Sequence, residues 1–226
     1  MKPHKQSNRL NIEDRAFHDW YRFVLSFPPH LVRKYIEDFE LSESQVILDP
    51  FCGTGTTLVE GKLNKIKTIG LEANPFARFA SAVKVDWEID PELLLRQAHK
   101  ISRAGFKVLK KQGIEDGAFF QRTVDGIWQL SLNSERMKLL LNGSISPLPL
   151  HKTLILQRCI TELADDRNYG HLLLALAKAV VFKISNLHFG PEVGVRKKKE
   201  DVPVISYWLE EVERIVSDIG QVYGEP

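Results

Sequence analysis

With 226 residues, the chain is long enough for one sizeable domain or two small ones, and its 43% hydrophobic and 27% charged residues are ordinary for a globular protein. This composition excludes collagen-like and intrinsically disordered chains, and a formal net charge of +2 is too small to indicate a nucleic-acid partner by itself. Cys52 and Cys159 lie far apart and form no metal-binding or disulfide pattern, so we expect a protein of the reducing cytoplasm.

The N-terminal region predicts two helices. Apolar and aromatic residues recur at helical spacing over residues 13–25, and Phe27-Pro28-Pro29 then ends that helix. Residues 31–39 carry apolar side chains on one face and charged ones on the other, which predicts an amphipathic helix that covers a sheet.

A β-turn-α-β unit follows. Residues 45–48 and 67–71 are short apolar runs typical of buried parallel strands, and the helical pattern of residues 55–63 lies between them. Residues 75–83 predict a further helix with proline in its first turn, and residues 85–89 predict a third strand.

The remainder of the chain has the pattern of a helical region with almost no strand signal. The predicted helices cover residues 92–111, 135–141, 151–165, 169–187 and 206–222. Loops are predicted at residues 113–117, 142–149 and 189–203.

Residues 49–57 form a glycine-rich turn at the point where a strand passes to a helix. Glycine at this point lets backbone N–H groups approach a ligand without obstruction from a side chain. No lysine follows Gly55 as a phosphate-binding P-loop requires, and Gly53-Thr54-Gly55 is not continued as the dinucleotide pattern GxGxxG. Both of those nucleotide-binding motifs are therefore excluded, and an ordinary tight turn remains the alternative to a ligand site.

Two carboxylates accompany this turn. Asp49 ends the first strand, where it can bind a cationic amino group, and Glu72 ends the next strand, from which an acidic side chain reaches ribose hydroxyls in nucleotide-binding α/β folds. Together they predict a ligand that joins an amino acid to a nucleoside. A helix-capping role is the alternative for Glu72 alone.

These residues carry a family resemblance. Residues 49–57, DPFCGTGTT, closely resemble the cofactor-binding motif DPFxGxGTT of DNA amino-methyltransferases, and residues 69–75, IGLEANP, resemble the motif that follows it. Upstream, residues 27–31, FPPHL, resemble the family's FPxxL motif, which packs over the methionine end of the cofactor.

The resemblance implies S-adenosylmethionine as the cofactor. It also implies an α/β fold, a partial Rossmann-like methyltransferase domain with a parallel sheet and a helical insertion. The cofactor-binding residues that it implies are Phe27, Pro28, Asp49, Pro50, Phe51, Cys52, Gly53, Gly55, Thr56, Thr57, Glu72, Ala73 and Asn74.

The family's catalytic motif is missing from the sequence. That motif consists of a polar residue (Asp, Asn or Ser), two prolines and an aromatic residue, and it holds the amino group of the flipped base. The one Pro-Pro pair, Pro28-Pro29, lies between Phe27 and His30, so we assign no catalytic residue. We expect either an incomplete enzyme or one part of a split enzyme, whose second polypeptide supplies the catalytic motif and further strands.

The resemblance also suggests how the chain is divided. We expect the cofactor-binding part in residues 1–90, a helical insertion with a possible role in target recognition in residues 91–188, and a basic loop with a C-terminal helix in residues 189–226. Arg196, Lys197, Lys198 and Lys199 are candidates for contacting DNA phosphates, and a solvated loop is the alternative.

The expected function is the cofactor-binding portion of a site-specific DNA methyltransferase that acts on the exocyclic amino group of adenine or cytosine. The alternatives are part of an RNA methyltransferase and a non-catalytic or regulatory subunit. The scattered histidines predict no metal site, and no apolar run predicts a membrane span. The tryptophans are interpreted as core residues rather than as platforms for stacking bases.

Overall fold

The computed structural model of the chain describes residues 10–23, 25–117, 130–190 and 192–223, and these fall into two separately packed units, residues 1–88 and 89–226. The first unit contains α1 (Pro29–Asp38), β1 (Val46–Asp49), α2 (Thr56–Leu63), β2 (Lys67–Gly70) and α3 (Pro75–Lys84). The second contains α4 (Pro91–Lys111), α5 (Ser134–Lys138), α6 (Pro147–Leu163), α7 (Asp166–Ala179), β3 (Leu187–Phe189), β4 (Val193–Val195) and α8 (Val204–Tyr223).

In the first unit, β1 and β2 form a parallel pair with Val46 opposite Lys67 and Asp49 opposite Gly70. The crossover between them is α2, as parallel strands require. Ile47 packs from the sheet against a buried cluster of Val32, Ile36 and Ile66, which holds α1 on one side of the sheet. The α/β class and the predicted β-turn-α-β unit are thereby confirmed as a small parallel sheet with helices.

The second unit is a bundle in which α4, α6, α7 and α8 pack against one another. Its core is aliphatic, and Trp208 lies fully buried within it and donates from its indole nitrogen to the Leu172 carbonyl at 2.9 Å. A short π-helical turn, Val180–Ile184, extends α7, and β3 and β4 then pair as an antiparallel hairpin. The predicted helices of this region are present, with α5 shorter than expected.

Three predictions of local structure were wrong. Residues 13–25 form a short 3-10 turn at His18–Trp20 rather than a long helix, because Phe17 turns inward and stacks on Trp87 with ring centroids 4.3 Å apart. No strand forms over residues 85–89, because the Trp87 indole nitrogen caps the end of α3 by donating to the Lys84 carbonyl. The predicted loop over residues 189–203 contains β4 and the last residue of β3.

The tryptophans of the described residues lie in the interior. Trp20, Trp87 and Trp208 are buried, which confirms that they serve the core, whereas Trp128 lies outside the described residues. None of the helices in the described part of the chain is long and apolar enough to cross a membrane.

Candidate functional site

The glycine loop, residues 50–55, is held over the carboxyl end of the sheet by backbone hydrogen bonds. The Leu71 N–H donates to the Asp49 carbonyl at 2.9 Å, and the Cys52 N–H donates to the Leu71 carbonyl at 3.0 Å. The Gly55 N–H then closes the loop by donating to the Cys52 carbonyl at 2.8 Å. The parallel pairing therefore continues beyond the two strands and fixes the start of α2.

Two glycines of this loop adopt the left-handed backbone conformation, with φ of +52° at Gly53 and +84° at Gly55. A Cβ atom at Gly55 would lie 2.9 Å from the Cβ atom of Ser81 on α3, whereas one at Gly53 would meet no atom within 4 Å. Gly55 is required for close packing against α3, and Gly53 faces open space. A ligand can thus approach the backbone at Gly53.

Asp49 lies half-buried at the end of β1. Its Oδ2 atom accepts a hydrogen bond from the Thr57 hydroxyl at 2.6 Å, and its Oδ1 atom accepts one from the Phe51 N–H at 3.1 Å. A carboxylate oxygen has two lone-pair sites, so each atom retains capacity for a further donor. The strand, the loop and α2 together fix the orientation of this carboxylate.

Glu72 also lies half-buried and binds the glycine loop directly. Its Oε2 atom accepts from the Gly53 N–H at 2.8 Å, and its Oε1 atom accepts from the Asn74 N–H at 2.7 Å. The cap of α3 is Asn74, whose side chain accepts from the N–H groups of Phe76 and Ala77. Helix capping is thus the role of Asn74, and Glu72 instead connects the ends of the two strands.

An open apolar groove of about 360 Å³ lies beside this site. It is lined by Phe27, Leu31, Val32, Tyr35, Ile36, Phe39, Leu41, Ile47 and Thr57. Thr57 lines the groove and also donates to Asp49, so the groove places Phe27 in the same neighbourhood as the glycine loop. Pro28 is buried before the first residue of α1 and does not line it.

The other predicted site residues differ in exposure. Pro50, Phe51 and Ala73 are exposed, and Phe51 is 87% exposed. Cys52 and Thr56 are buried, and burial raises the pKa of the Cys52 thiol. Residues 49–57 and Glu72 therefore lie around one loop, with Phe51 outward and Cys52 packed beneath it.

Sequence reasoning missed Lys84. It is the last residue of α3 and almost fully buried, and its Nζ atom donates to the Thr54 carbonyl at 2.8 Å and to the Tyr21 carbonyl at 3.2 Å. Lys84 therefore ties the glycine loop to the N-terminal segment. A lysine that ends an apolar helix is common on surfaces, so its position in the sequence gave no signal of this role.

A second buried polar group anchors α2. Glu60 accepts from His18 Nε2 at 2.7 Å and from Arg33 Nη1 at 3.1 Å through the same oxygen, and Arg33 also binds Asp14 at 2.6 Å. Burial lowers the pKa of His18, although the hydrogen bond that His18 donates to Glu60 opposes this shift. These contacts join α1, α2 and the N-terminal segment and leave His18 a structural residue.

The polar groups of this site are carboxylates, which accept hydrogen bonds from a ligand. Within the described ranges no three or more His, Cys, Asp or Glu side chains are grouped so that they could hold a metal ion. Two oriented carboxylates flank an accessible stretch of backbone, an arrangement that binds a cationic group at one end and hydroxyl groups at the other. These residues fit the amino group and the ribose of S-adenosylmethionine.

Parts of the chain resemble known proteins. The model of a DNA methylase family matches residues 2–81. The Type II methyltransferase M.BsoBI of Geobacillus stearothermophilus is 38% identical over 68 residues, which is 30% of this chain and 13% of that protein. The Type II methyltransferase M.MvaI of Kocuria varians is 30% identical over 81 residues, which is 35% of this chain and 18% of that protein.

An RNA-modifying enzyme is also similar. The tRNA (guanine(10)-N2)-dimethyltransferase of Methanocaldococcus jannaschii is 30% identical over 112 residues, which is 46% of this chain and 31% of that protein. The chain thus spans less than a third of the length of each of these relatives. No solved structure matches the chain.

The match to the family model includes the site of the first unit. Residues 2–81 include the glycine loop, both carboxylates and α3 up to Ser81, against which Gly55 packs. Over residues 2–81 the chain therefore resembles the DNA amino-methyltransferase family, and two Type II methyltransferases are similar to part of it.

Proposed function

We propose that residues 1–90 bind S-adenosylmethionine, and that they form the Rossmann-like cofactor-binding portion of a site-specific DNA methyltransferase. The observation that carries this proposal is the contact between Glu72 Oε2 and the Gly53 N–H at 2.8 Å, with Asp49 at the other end of the same loop. In this proposal residues 91–188 are the helical insertion, with a part in target recognition.

The two carboxylates have separate roles in the proposed site. The free lone pairs of Glu72 accept the ribose hydroxyls, the part that an acidic residue at the end of the second strand plays in nucleotide-binding α/β folds. Asp49 accepts the amino group of the methionine moiety, and its bonds from Thr57 and Phe51 keep its oxygens in place. Phe51 and Phe27 offer exposed apolar surface to the rest of the ligand.

The cofactor, when bound, supplies an electrophilic methyl group on sulfur. That methyl group would pass in line to the exocyclic amino nitrogen of a flipped adenine or cytosine as its bond to sulfur breaks, leaving the thioether S-adenosylhomocysteine and one proton for water to accept. The residues of this chain bind and orient the methyl donor. The residues that hold the target amino group come, in this proposal, from a segment outside these 226 residues or from a second polypeptide.

The exposed apolar face of the sheet supports the proposal that further strands complete it. Leu48 of β1 and Ile69 of β2 are opposite each other in the pairing register and are 61% and 47% exposed. Parallel sheets are normally covered on both faces, and their edge strands are paired or protected. A completing segment would cover this apolar face and bring the catalytic motif beside Asp49.

Calorimetric titration with S-adenosylmethionine tests the proposal. We expect the full chain to bind the cofactor, and Asp49→Ala and Glu72→Ala each to weaken binding at least tenfold, since hydrogen bonds to charged groups contribute about 1.5–3 kcal/mol each. Glu43→Ala, which removes an exposed carboxylate outside the site, is the matched control and should bind as the unsubstituted chain does.

Circular dichroism melts of the variants show whether each one is folded. Absence of binding by the unsubstituted chain would overturn the proposal, and so would equal binding by folded Asp49→Ala and Glu72→Ala variants. Glu72→Gln provides a second check, because it keeps the side chain's size but removes the charge and one acceptor.

A second candidate function is part of an RNA methyltransferase. The observation in its favour is the match over 112 residues to a tRNA dimethyltransferase, longer than the matches to the two Type II methyltransferases. Competition between duplex DNA and tRNA for the cofactor-loaded chain separates the two candidates. Preference for tRNA would favour this second function.

A further inference from the structure

Two segments of the second unit that are distant in sequence are joined by Asn186. The Asn186 N–H donates to the Ser144 carbonyl at 2.7 Å, and its side-chain amide donates to the Gly143 carbonyl at 2.9 Å. On its other side, the Asn186 carbonyl accepts from the Arg196 N–H at 2.8 Å, and its Oδ1 atom accepts from the Lys199 N–H at 2.9 Å. Asn186 is 2% exposed, so the two segments are fixed beside each other.

Each of these two segments carries exposed cations. Arg136 and Lys138 belong to α5, and Arg196, Lys197 and Lys198 follow β4. None of these five forms an ion pair with another of the described residues, and all five are exposed. We refer to these five residues as the basic surface.

Lys199 differs from its neighbours. Its Nζ atom donates to the Lys183 carbonyl at 2.6 Å and to the Ser185 carbonyl at 2.7 Å, at the end of the π-helical turn. Burial lowers the pKa of this ammonium group. Lys199 therefore anchors the segment from within and leaves Arg196, Lys197 and Lys198 to face the solvent.

Part of the basic surface lies beside a concave region. A cavity of about 350 Å³ is lined by Lys138 and by residues of the turn that follows α5, including Gly143. The Lys198 Cε atom lies 3.7 Å from the position that a Cβ atom on Gly143 would take, so the Lys198 chain packs at the same turn. One cation from each segment, Lys138 and Lys198, thereby lies at this turn.

We propose that the basic surface binds the phosphate backbone of duplex DNA. Exposed lysines and arginines without acidic partners are the groups that phosphates bind, and binding gains free energy as counterions leave the DNA. This inference rests on the proposed function, because the choice of DNA follows from it. The basic surface itself fits any double-helical polyphosphate, and a comparison of duplex DNA with tRNA separates DNA from RNA.

Fluorescence anisotropy with a labelled DNA duplex tests the proposal, using the full chain over a range of salt concentrations. We expect the double variant Lys197→Gln with Lys198→Gln to bind DNA about tenfold more weakly. The slope of log affinity against log salt should also become about 2 units less steep, because each lost phosphate contact reduces that slope by roughly one unit. Lys107→Gln with Lys110→Gln removes the same charge from exposed positions of α4 and should leave both quantities unchanged.

Lys199→Gln serves as a second comparison. We expect it to lower thermal stability, because two carbonyls lose their donor, while Lys197→Gln with Lys198→Gln leaves the melting temperature unchanged. Equal loss of DNA affinity in the α4 control would overturn the proposal, as would tighter binding of tRNA than of duplex DNA. Calorimetry with S-adenosylmethionine on the same samples reports on cofactor binding separately, so failure of this inference is distinguished from failure of the proposed function.

Discussion

Gly53 and Gly55 share a left-handed backbone and differ in what surrounds them. A residue with a Cβ atom would pay about 1 kcal/mol for this conformation at either position, and glycine avoids that cost. Only Gly55 also lies so close to Ser81 that a Cβ atom would force α3 or the loop to move. The two glycines therefore have separate functions, close packing at Gly55 and open backbone at Gly53.

This difference predicts unequal effects of alanine at the two positions. We expect Gly53→Ala to lower the free energy of unfolding by about 1 kcal/mol, and Gly55→Ala to lower it by about 2–4 kcal/mol, because overpacking adds to the backbone strain. Urea unfolding followed by circular dichroism measures both. If the two variants lose the same stability, the close contact with Ser81 has no energetic consequence.

The start of helix α8 is capped by Asp116, a residue that lies far from it in the sequence. Its two carboxylate oxygens accept from the N–H groups of Val204, Ile205 and Ser206, so a side chain 88 residues away caps the start of α8. Lys152 is fully buried nearby and binds Asp201 at 2.6 Å and Asp116 at 3.8 Å. Burial raises the pKa of Asp116 from 3.8 to about 6, against the opposing effect of Lys152.

The raised pKa predicts how stability depends on pH. Between about pH 4 and pH 6 the folded chain retains a proton on Asp116 that the unfolded chain has released, so the folded state binds more protons. The free energy of unfolding should therefore fall as the pH rises through this window, by about 3 kcal/mol from this group. Urea unfolding at intervals from pH 4 to pH 7 measures the change.

Asp116→Asn should remove this contribution, since an amide does not titrate. Asp90→Asn is the matched control, because Asp90 caps α4 from an exposed position. The control is expected to keep the decline of the unsubstituted chain. A decline that is unchanged in Asp116→Asn would show that another group causes it.

At the scale of the whole molecule, the β1–β2 pair leaves apolar side chains of its sheet exposed to solvent. Leu48 and Ile69 lie on solvent-exposed positions of neighbouring strands, an arrangement that favours association with other surfaces. Because parallel sheets are normally covered on both faces, this exposed face supports the proposal that further strands complete the sheet.

Substitution of this face is predicted to leave the fold intact. Leu48→Ser with Ile69→Ser should change the free energy of unfolding by less than about 1 kcal/mol, since both side chains are exposed, and should reduce self-association in sedimentation velocity. Ile36→Ser, in the buried cluster beneath the sheet, is the contrasting variant and should cost about 3 kcal/mol or more. A comparable loss of stability in the double variant would mean that this face is buried in the isolated chain.

Local sequence patterns predicted the parts of the fold whose stability is local. Prolines and caps mark the starts of α1, α3 and α4, and apolar periodicity marks the helices of the second unit. The same patterns failed over residues 13–25, where Phe17 and Trp20 have helical spacing but pack into an aromatic cluster with Trp87. Contacts between residues 70 positions apart outweigh helix propensity there.

By itself, the sequence determined the order strand, glycine turn, helix, strand, with a carboxylate at the end of each strand, because turns and strand ends depend on residues close to one another in the chain. Only the tertiary structure decided that Glu72 binds Gly53, that Lys84 holds the loop through Thr54, and that Lys199 anchors a segment while Lys197 and Lys198 face solvent. The physical reason is that burial and hydrogen-bond partners are set by packing between distant segments, so identical residue types take different roles according to what folds against them.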